Sequence, residues 1–189
     1  MSPYEAVLRS FGYYERVTAE EHAVVRAGLE RAVQQAPENA DGWVMLSMMY
    51  GEEFRFGFNV RPDPLGRSLQ AAQRAVDAGP SNQSAYLALA QALFFRKEFG
   101  GFRSAAERAI ALNSMDGATL GYLSLLLAFA GDWERGCAPG RASAGTEPPP
   151  SGMVLGSAFA VRAAPYALSV HRFWTAALPE TPNWPSPDP

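Results

Sequence analysis

The chain has 189 residues, of which 48% are hydrophobic and 19% charged, a balance that suits one globular domain with its own core. Its formal net charge of −3 argues against nucleic acid and against an anionic membrane surface as partners. The single cysteine, Cys137, excludes an internal disulfide and fits a reducing compartment. No signal peptide or bilayer-spanning segment stands out, so we expect a soluble cytoplasmic protein.

The first 53 residues predict three helices. The first covers 2–17, with its start capped and with an apolar face. That face consists of Tyr4, Val7, Leu8 and Phe11. Thr18 begins a capping-box pattern, which predicts a second helix over 18–35. Asp41 is the expected cap of a third helix over 42–53.

Three alternating aromatic side chains follow, at Phe54, Phe56 and Phe58. The alternation is compatible with a strand. We favour an aromatic loop that folds back over the edge of the neighbouring hairpin, and a lip that binds a partner is the alternative. The loop should end at Asp63, which would cap a helix that runs to Asp77.

The stretch 80–114 predicts an antiparallel helix hairpin, with Gly100 and Gly101 in its turn. The two apolar stripes consist of Tyr86, Leu89, Ala90 and Leu93, and of Phe102, Ala105, Ala106, Ala109, Ile110 and Leu112. Small residues on both stripes would let the two helix backbones approach closely. A hairpin of this kind leaves one apolar face uncovered, so it predicts similar neighbours.

The same pattern occurs in three registers along the chain. The matching positions are Trp43, Leu46, Ser47 and Tyr50, then Tyr86, Leu89, Ala90 and Leu93, then Leu120, Leu123, Ser124 and Leu127. The stops at Pro80 and Ser114 lie 34 residues apart, which is the tetratricopeptide period. From about Glu20 to Gly136 the chain resembles the tetratricopeptide repeat (TPR) family. This resemblance implies an all-α fold of antiparallel hairpins, stacked as a short right-handed superhelix.

We therefore expect residues 1–137 to form a TPR-like domain of three to four hairpins. The predicted hairpins are 2–36, 40–79, 82–113, and a last one from Asp116, the expected cap of its first helix. The pattern fails from Pro139 onward, where ten of the fifteen prolines lie. Residues 138–189 predict a Pro-rich extended or disordered tail, with room for one short helix over 161–177.

The long loop within one repeat resembles the C-terminal TPR region of bacterial class III adenylate cyclases and winged-helix regulators. That region ends in a His-Pro-Gly-Trp-Tyr-Trp segment, where this chain has Ser-Gly-Met-Val-Leu-Gly at 151–156. A one-base shift can turn codons for the second segment into codons for the first. A coding frame that slips near Ala138 is thus an alternative explanation of the tail. The resemblance implies a role in bacterial signalling, and it leaves open whether a cyclase or regulator domain precedes the repeats.

Residues suited to catalysis or metal binding are few. His22 and His171 have no metal-ligand spacing to each other or to Cys137, so we expect no metal site and no cofactor. The carboxylates should be solvated or should stabilise helix ends. They are Glu20, Glu21, Glu52, Glu53 and Asp132. The sequence has no phosphate-binding loop and no nucleophile motif, so we predict no catalytic residue and no enzyme.

The first helix of each repeat should line a concave groove if Trp43, Tyr86 and Leu120 are buried anchors. The predicted groove residues are Val44, Met48, Leu87, Gln91, Phe94, Phe95, Leu125 and Phe129. This apolar set lacks the Lys and Asn residues with which chaperone-binding TPR domains hold a carboxylate. It favours an amphipathic helix or an extended peptide. In the alternative, Tyr4, Phe11 or the tail covers part of the groove.

Two functions stay open at this point. The first is a non-catalytic protein–protein interaction module that docks a protein or peptide in the groove. The second is an oligomerisation element that forms a homodimer through an uncapped last repeat. Its candidate oligomer face consists of Leu123, Leu126 and Leu127.

Overall fold

A computed structural model describes residues 2–14 and 16–132. Within these residues the chain forms seven α-helices and no strand, which confirms the all-α prediction. The helices are α1 (Pro3–Tyr13), α2 (Ala19–Gln35), α3 (Ala40–Phe56), α4 (Pro64–Ala78), α5 (Gln83–Phe95), α6 (Phe99–Leu112) and α7 (Gly117–Phe129). The predicted tail, 138–189, lies outside the described residues.

Consecutive helices pack as pairs. α1 contacts α2, α3 contacts α4 and α5 contacts α6, and each pair also contacts the next one along the chain. α7 packs against both α5 and α6. The interior of the α5–α6 pair is lined by the small residues that the sequence pattern singled out. Ala90, Ala106 and Ala109 have no exposed surface, and Ala105 is also buried.

Side-chain caps start most of these helices. Thr18 accepts a hydrogen bond from the Glu21 N–H, and Asp116 accepts from the N–H groups of the first turn of α7. Asp63 caps α4 as predicted. The expected cap at Asp41 is wrong, because Asn39 accepts the Gly42 N–H at 3.2 Å and starts α3 earlier. A capping side chain reaches the N–H two or three residues ahead of it, and Asn39 has that spacing.

The aromatic segment after α3 differs from the prediction. Phe54 and Phe56 belong to α3 itself, which ends where Gly57 adopts a left-handed φ of 71°. No strand is present there, and of the three aromatic residues only Phe58 lies in a loop, because the helix hydrogen bonds continue through Phe54 and Phe56. The connection to α4 is the short segment 57–63.

The turn of the third hairpin also lies earlier than predicted. Gly100 and Gly101 fall in the first turn of α6, not in the connection. The chain reverses at Lys97, whose φ of 62° is in the left-handed region. Gly101 still has a packing role, because a Cβ added there would lie 3.3 Å from the Leu93 side chain.

Candidate functional site

Stacking of the hairpins brings the odd-numbered helices together on one side. α3 contacts both α1 and α5, and α5 contacts α7. In the part of the chain that the structure describes, α2, α4 and α6 make no such contacts with one another. Helices that touch across repeats line the inner side of a curved stack, and those that spread apart line its outer side. The odd-numbered helices therefore form the concave face.

The predicted groove residues divide into two groups by exposure. Met48, Leu87, Leu125 and Phe129 are half-buried, whereas Val44, Gln91, Phe94 and Phe95 are buried. Phe95 links two helices of the concave face, because its ring centroid lies 6.1 Å from that of Phe54 on α3. Phe94 instead meets Phe102 edge-on at 5.4 Å and has no exposed surface, so it packs within the α5–α6 hairpin.

Gln91 is the unusual residue of the concave face. It lies one helical turn from both Leu87 and Phe95 and is only 5% exposed. Its amide nitrogen Nε2 is buried and has no hydrogen-bond partner. A buried donor without an acceptor costs about 1–3 kcal/mol of folding free energy. The face therefore holds a hydrogen-bond donor that the described residues do not satisfy.

Helix α3 carries a buried carboxylate. Glu52 has no exposed surface, and the Tyr13 hydroxyl donates to its Oε2 at 2.7 Å. Arg55 Nη2 lies 3.6 Å from the other oxygen, and its guanidinium stands over the rings of Phe56 and Phe95. Burial raises the pKa of Glu52, and the opposing effects of Arg55 and Tyr13 do not cancel it. This cluster joins α1 to the concave side of α3.

The neighbouring carboxylate, Glu53, anchors the connection to α4. Arg26 donates to it at 2.7 Å, Arg67 donates two hydrogen bonds, and the Arg61 backbone N–H donates a fourth at 2.9 Å. Burial alone would raise the pKa of Glu53, but these hydrogen bonds together lower it. Arg67 also stacks over the Tyr50 ring, with 4.3 Å from its guanidinium carbon to the ring centroid. The segment 57–63 is thus held by a charge network.

Comparison with known proteins identifies the fold. No protein-family model matches the sequence, and a search of curated proteins finds no match. Among solved structures, TTC0263, a TPR protein of Thermus thermophilus, matches with a TM-score of 0.63 and 13% identity. That match covers 93% of this chain and 81% of TTC0263. MamA matches with a TM-score of 0.50 and 18% identity, over 86% of this chain and 91% of MamA.

The O-GlcNAc transferase of Thermobaculum terrenum also matches, with a TM-score of 0.52 and 17% identity. The match covers 66% of this chain but only 22% of the transferase, so this chain spans about a fifth of that protein's length. The named TPR protein aligns with nearly the whole chain, and this chain consists of stacked helix pairs. The chain has the TPR fold.

Of the residues expected to cover part of the concave face, Tyr4 and Phe11 do not do so, and the tail lies outside the described residues. Tyr4 is 69% and Phe11 is 60% exposed, so neither side chain is packed on the groove. From α1 it is Tyr13, 1% exposed, that reaches α3. The proposed anchors Trp43, Tyr86 and Leu120 are half-buried, so they are less buried than expected.

The candidate oligomer face is buried in this structure. Leu123 and Leu126 have no exposed surface, and Leu127 is 5% exposed. The prediction required these three leucines to be exposed at α7, and pairing through the last repeat stays a prediction. Leu125 lies between them in sequence but is half-buried, because the helical period turns it toward another side of α7.

Sequence reasoning missed the buried polar residues of the TPR stack. Glu52 and Glu53 were expected to be solvated, and His22 was expected on a charged helix face, yet none has exposed surface. The His22 ring nitrogen Nε2 lies 2.9 Å from the Met49 carbonyl oxygen. No local signal marks these positions, because most of their partners come from other helices or from the connection after α3.

Metal ligands and membrane spans are the remaining features that bear on function. Residues 2–14 and 16–132 bring no three His, Cys, Asp or Glu side chains together in a way that could hold a metal ion. Among the same residues, the helices are too short or too polar for any of them to cross a bilayer.

Proposed function

We propose that this chain is a non-catalytic protein–protein interaction module whose concave face binds a helix or an extended peptide. Support comes from the TPR fold, whose stacked helices present extended concave binding surfaces. In this chain the face combines half-buried apolar side chains with a hydrogen-bond donor. Met48, Leu87 and Leu125 supply the apolar part.

The observation that carries the proposal is the unsatisfied amide of Gln91. A donor that is buried without an acceptor is costly, so its presence is understandable if an acceptor arrives with a partner. The Gln side chain has three rotatable bonds, so a change of rotamer can bring the amide to a peptide carbonyl. Leu87 lies one turn away, is half-buried and would contact a neighbouring apolar side chain of that peptide.

A peptide library displayed on phage, selected on the full chain, tests this proposal. Selected peptides should be resynthesised and their dissociation constants measured by calorimetry on the chain and on Gln91→Met, which keeps the side-chain length and removes the amide. We expect about tenfold weaker binding, because one hydrogen bond is lost. Removing the unsatisfied donor should also raise the free energy of unfolding by about 1 kcal/mol.

Gln73→Met is the matched control, since Gln73 is exposed on α4, a helix of the outer side. It should change neither binding nor stability. Selected peptides that bind Gln91→Met and the unmodified chain equally would show that the concave face around Gln91 is not the binding site. A library that yields no binder to the folded chain would count against the peptide-binding proposal as a whole.

A finer proposal concerns the biological setting. We infer a regulatory role in bacterial signalling, in the cytoplasm, from the resemblance of these repeats to the TPR region of class III cyclases and winged-helix regulators. Sequencing of the genomic locus tests it. A cyclase or regulator frame directly upstream supports the role, and an unrelated upstream neighbour contradicts it.

A further inference from the structure

Helix α1 has an apolar face that nothing in the described structure covers. Its buried side packs on the rest of the stack through Ala6, Val7, Ser10 and Tyr13. On another side, Tyr4, Leu8 and Phe11 are 69%, 50% and 60% exposed. These three recur at i, i+4 and i+7, so they form one stripe along the helix.

The stripe is comparable in size to the largest apolar patch of a typical monomer. Side chains of this kind present about 150–250 Å² each, so the exposed fractions amount to roughly 350 Å² of one contiguous apolar patch. The largest apolar patch on a typical monomer is about 300–600 Å² and is often functional. A patch of this area, with a polar rim, is the right scale for the apolar centre of a small interface of about 600–800 Å² per partner.

A negative and a positive side chain lie beside the stripe, so the α1 surfaces of two copies of the chain could pair with opposite charges facing each other. Glu5 and Arg9 lie on the same flank of α1, one turn apart. In the described part of the chain, Arg9 forms no ion pair with a carboxylate. Glu5 uses one carboxylate oxygen to accept the Ser2 N–H at 2.7 Å, which leaves the other oxygen for a second donor.

A two-fold axis that crosses the stripe near Leu8 would satisfy both features at once. It places two α1 helices antiparallel, so Tyr4 of each copy faces Phe11 of the other and the two Leu8 side chains meet. The same axis places Glu5 of each copy opposite Arg9 of the other, which forms two ion pairs. A partner with an unrelated sequence would match this arrangement only by coincidence.

We propose that the exposed stripe of α1 is a homodimer interface, occupied by the antiparallel α1 of a second copy of this chain. This inference is independent of peptide binding on the concave face. It also differs from pairing through the last repeat, where the leucines are buried.

Sedimentation velocity of the full chain, from about 1 to about 200 µM, tests the proposal. We expect a mass that rises from monomer toward dimer over this range. Leu8→Glu places two charges at the centre of the interface and should raise the dissociation constant at least about a hundredfold. Met115→Glu is the matched control, since Met115 is an exposed apolar residue, 90% accessible, in the connection between α6 and α7. It should dimerise like the unmodified chain.

Charge variants test the antiparallel register. Glu5→Lys and Arg9→Glu should each weaken their own homodimer about fivefold or more, because each opposes like charges twice. Mixing the two variants should restore association, since the heterodimer again opposes unlike charges at both positions. Far-ultraviolet circular dichroism should show that all variants keep their helices.

Three results would overturn the proposal. The unmodified chain could remain monomeric at the highest concentration, which would show that the stripe is not a self-association surface. Leu8→Glu could leave a dimer intact, which would place the interface elsewhere. Mixed charge variants could fail to associate better than either alone, which would rule out the antiparallel pairing of α1.

Discussion

Tyr13 and Glu52, 39 residues apart in sequence, share a 2.7 Å hydrogen bond in a fully buried site. Because Tyr13 ends α1 and Glu52 lies on α3, this bond ties the first helix to the second repeat. Tyr13→Phe should lower the free energy of unfolding by about 1–3 kcal/mol, since a buried carboxylate loses a donor. Urea unfolding measures the change. Tyr4→Phe, which removes an exposed hydroxyl, should have no effect, and an equal loss in both variants would contradict this account.

The raised pKa of Glu52 makes a specific contribution to the pH dependence of stability. The folded state holds the Glu52 proton more tightly than the unfolded state, so this residue favours folding below its folded pKa and loses that contribution as pH rises through it. Glu52→Gln removes the titration. Urea unfolding at several pH values between about 7.5 and about 4.5 should show the unmodified chain gaining stability relative to Glu52→Gln as pH falls. If the difference in the free energy of unfolding between the two proteins stays constant with pH, the pKa of Glu52 is not raised in the folded state.

Glu53 should respond in the opposite direction. Its lowered pKa means that its stabilising contribution is present at neutral pH and is lost as pH falls through the folded pKa. Glu53→Gln leaves the charge of Arg26, which is 5% exposed, beside an uncharged group. We therefore expect the free energy of unfolding to fall by about 3–5 kcal/mol. Thermal unfolding measures this, and limited chymotrypsin digestion should show faster cleavage after Phe58, in the segment that Glu53 anchors. Exposed Glu38→Gln is the control; comparable damage from that variant would exclude a network-specific effect.

Close packing of α5 on α6 depends on small side chains. Ala106 has no exposed surface, so Ala106→Leu should force the helices apart and lower the free energy of unfolding by about 1–3 kcal/mol. Ala111→Leu on the exposed side of the same helix should be nearly neutral. Chemical denaturation compares them. Equal stability of the two variants would mean that the hairpin can absorb the added volume.

The sequence by itself determined the helices and their repeat. Period-3.6 apolar stripes and caps such as Thr18, Asp63 and Asp116 act between residues a few positions apart, so they can be recognised without knowing the fold. Boundaries shifted where two local signals competed, as at Asn39 and Asp41, or where a helix continued through Phe56.

Only the tertiary structure decided which side chains have buried partners and which are exposed to solvent. Apart from Arg55, which lies on the same helix as Glu52, the partners of Glu52, Glu53 and His22 lie 14 to 39 residues away on other helices or come from the short connection after α3. A helical period reports that one side of a helix is apolar, but not what will pack against it. For this reason Tyr4, Leu8 and Phe11 have the pattern of core residues and yet face outward, while two adjacent glutamates become buried.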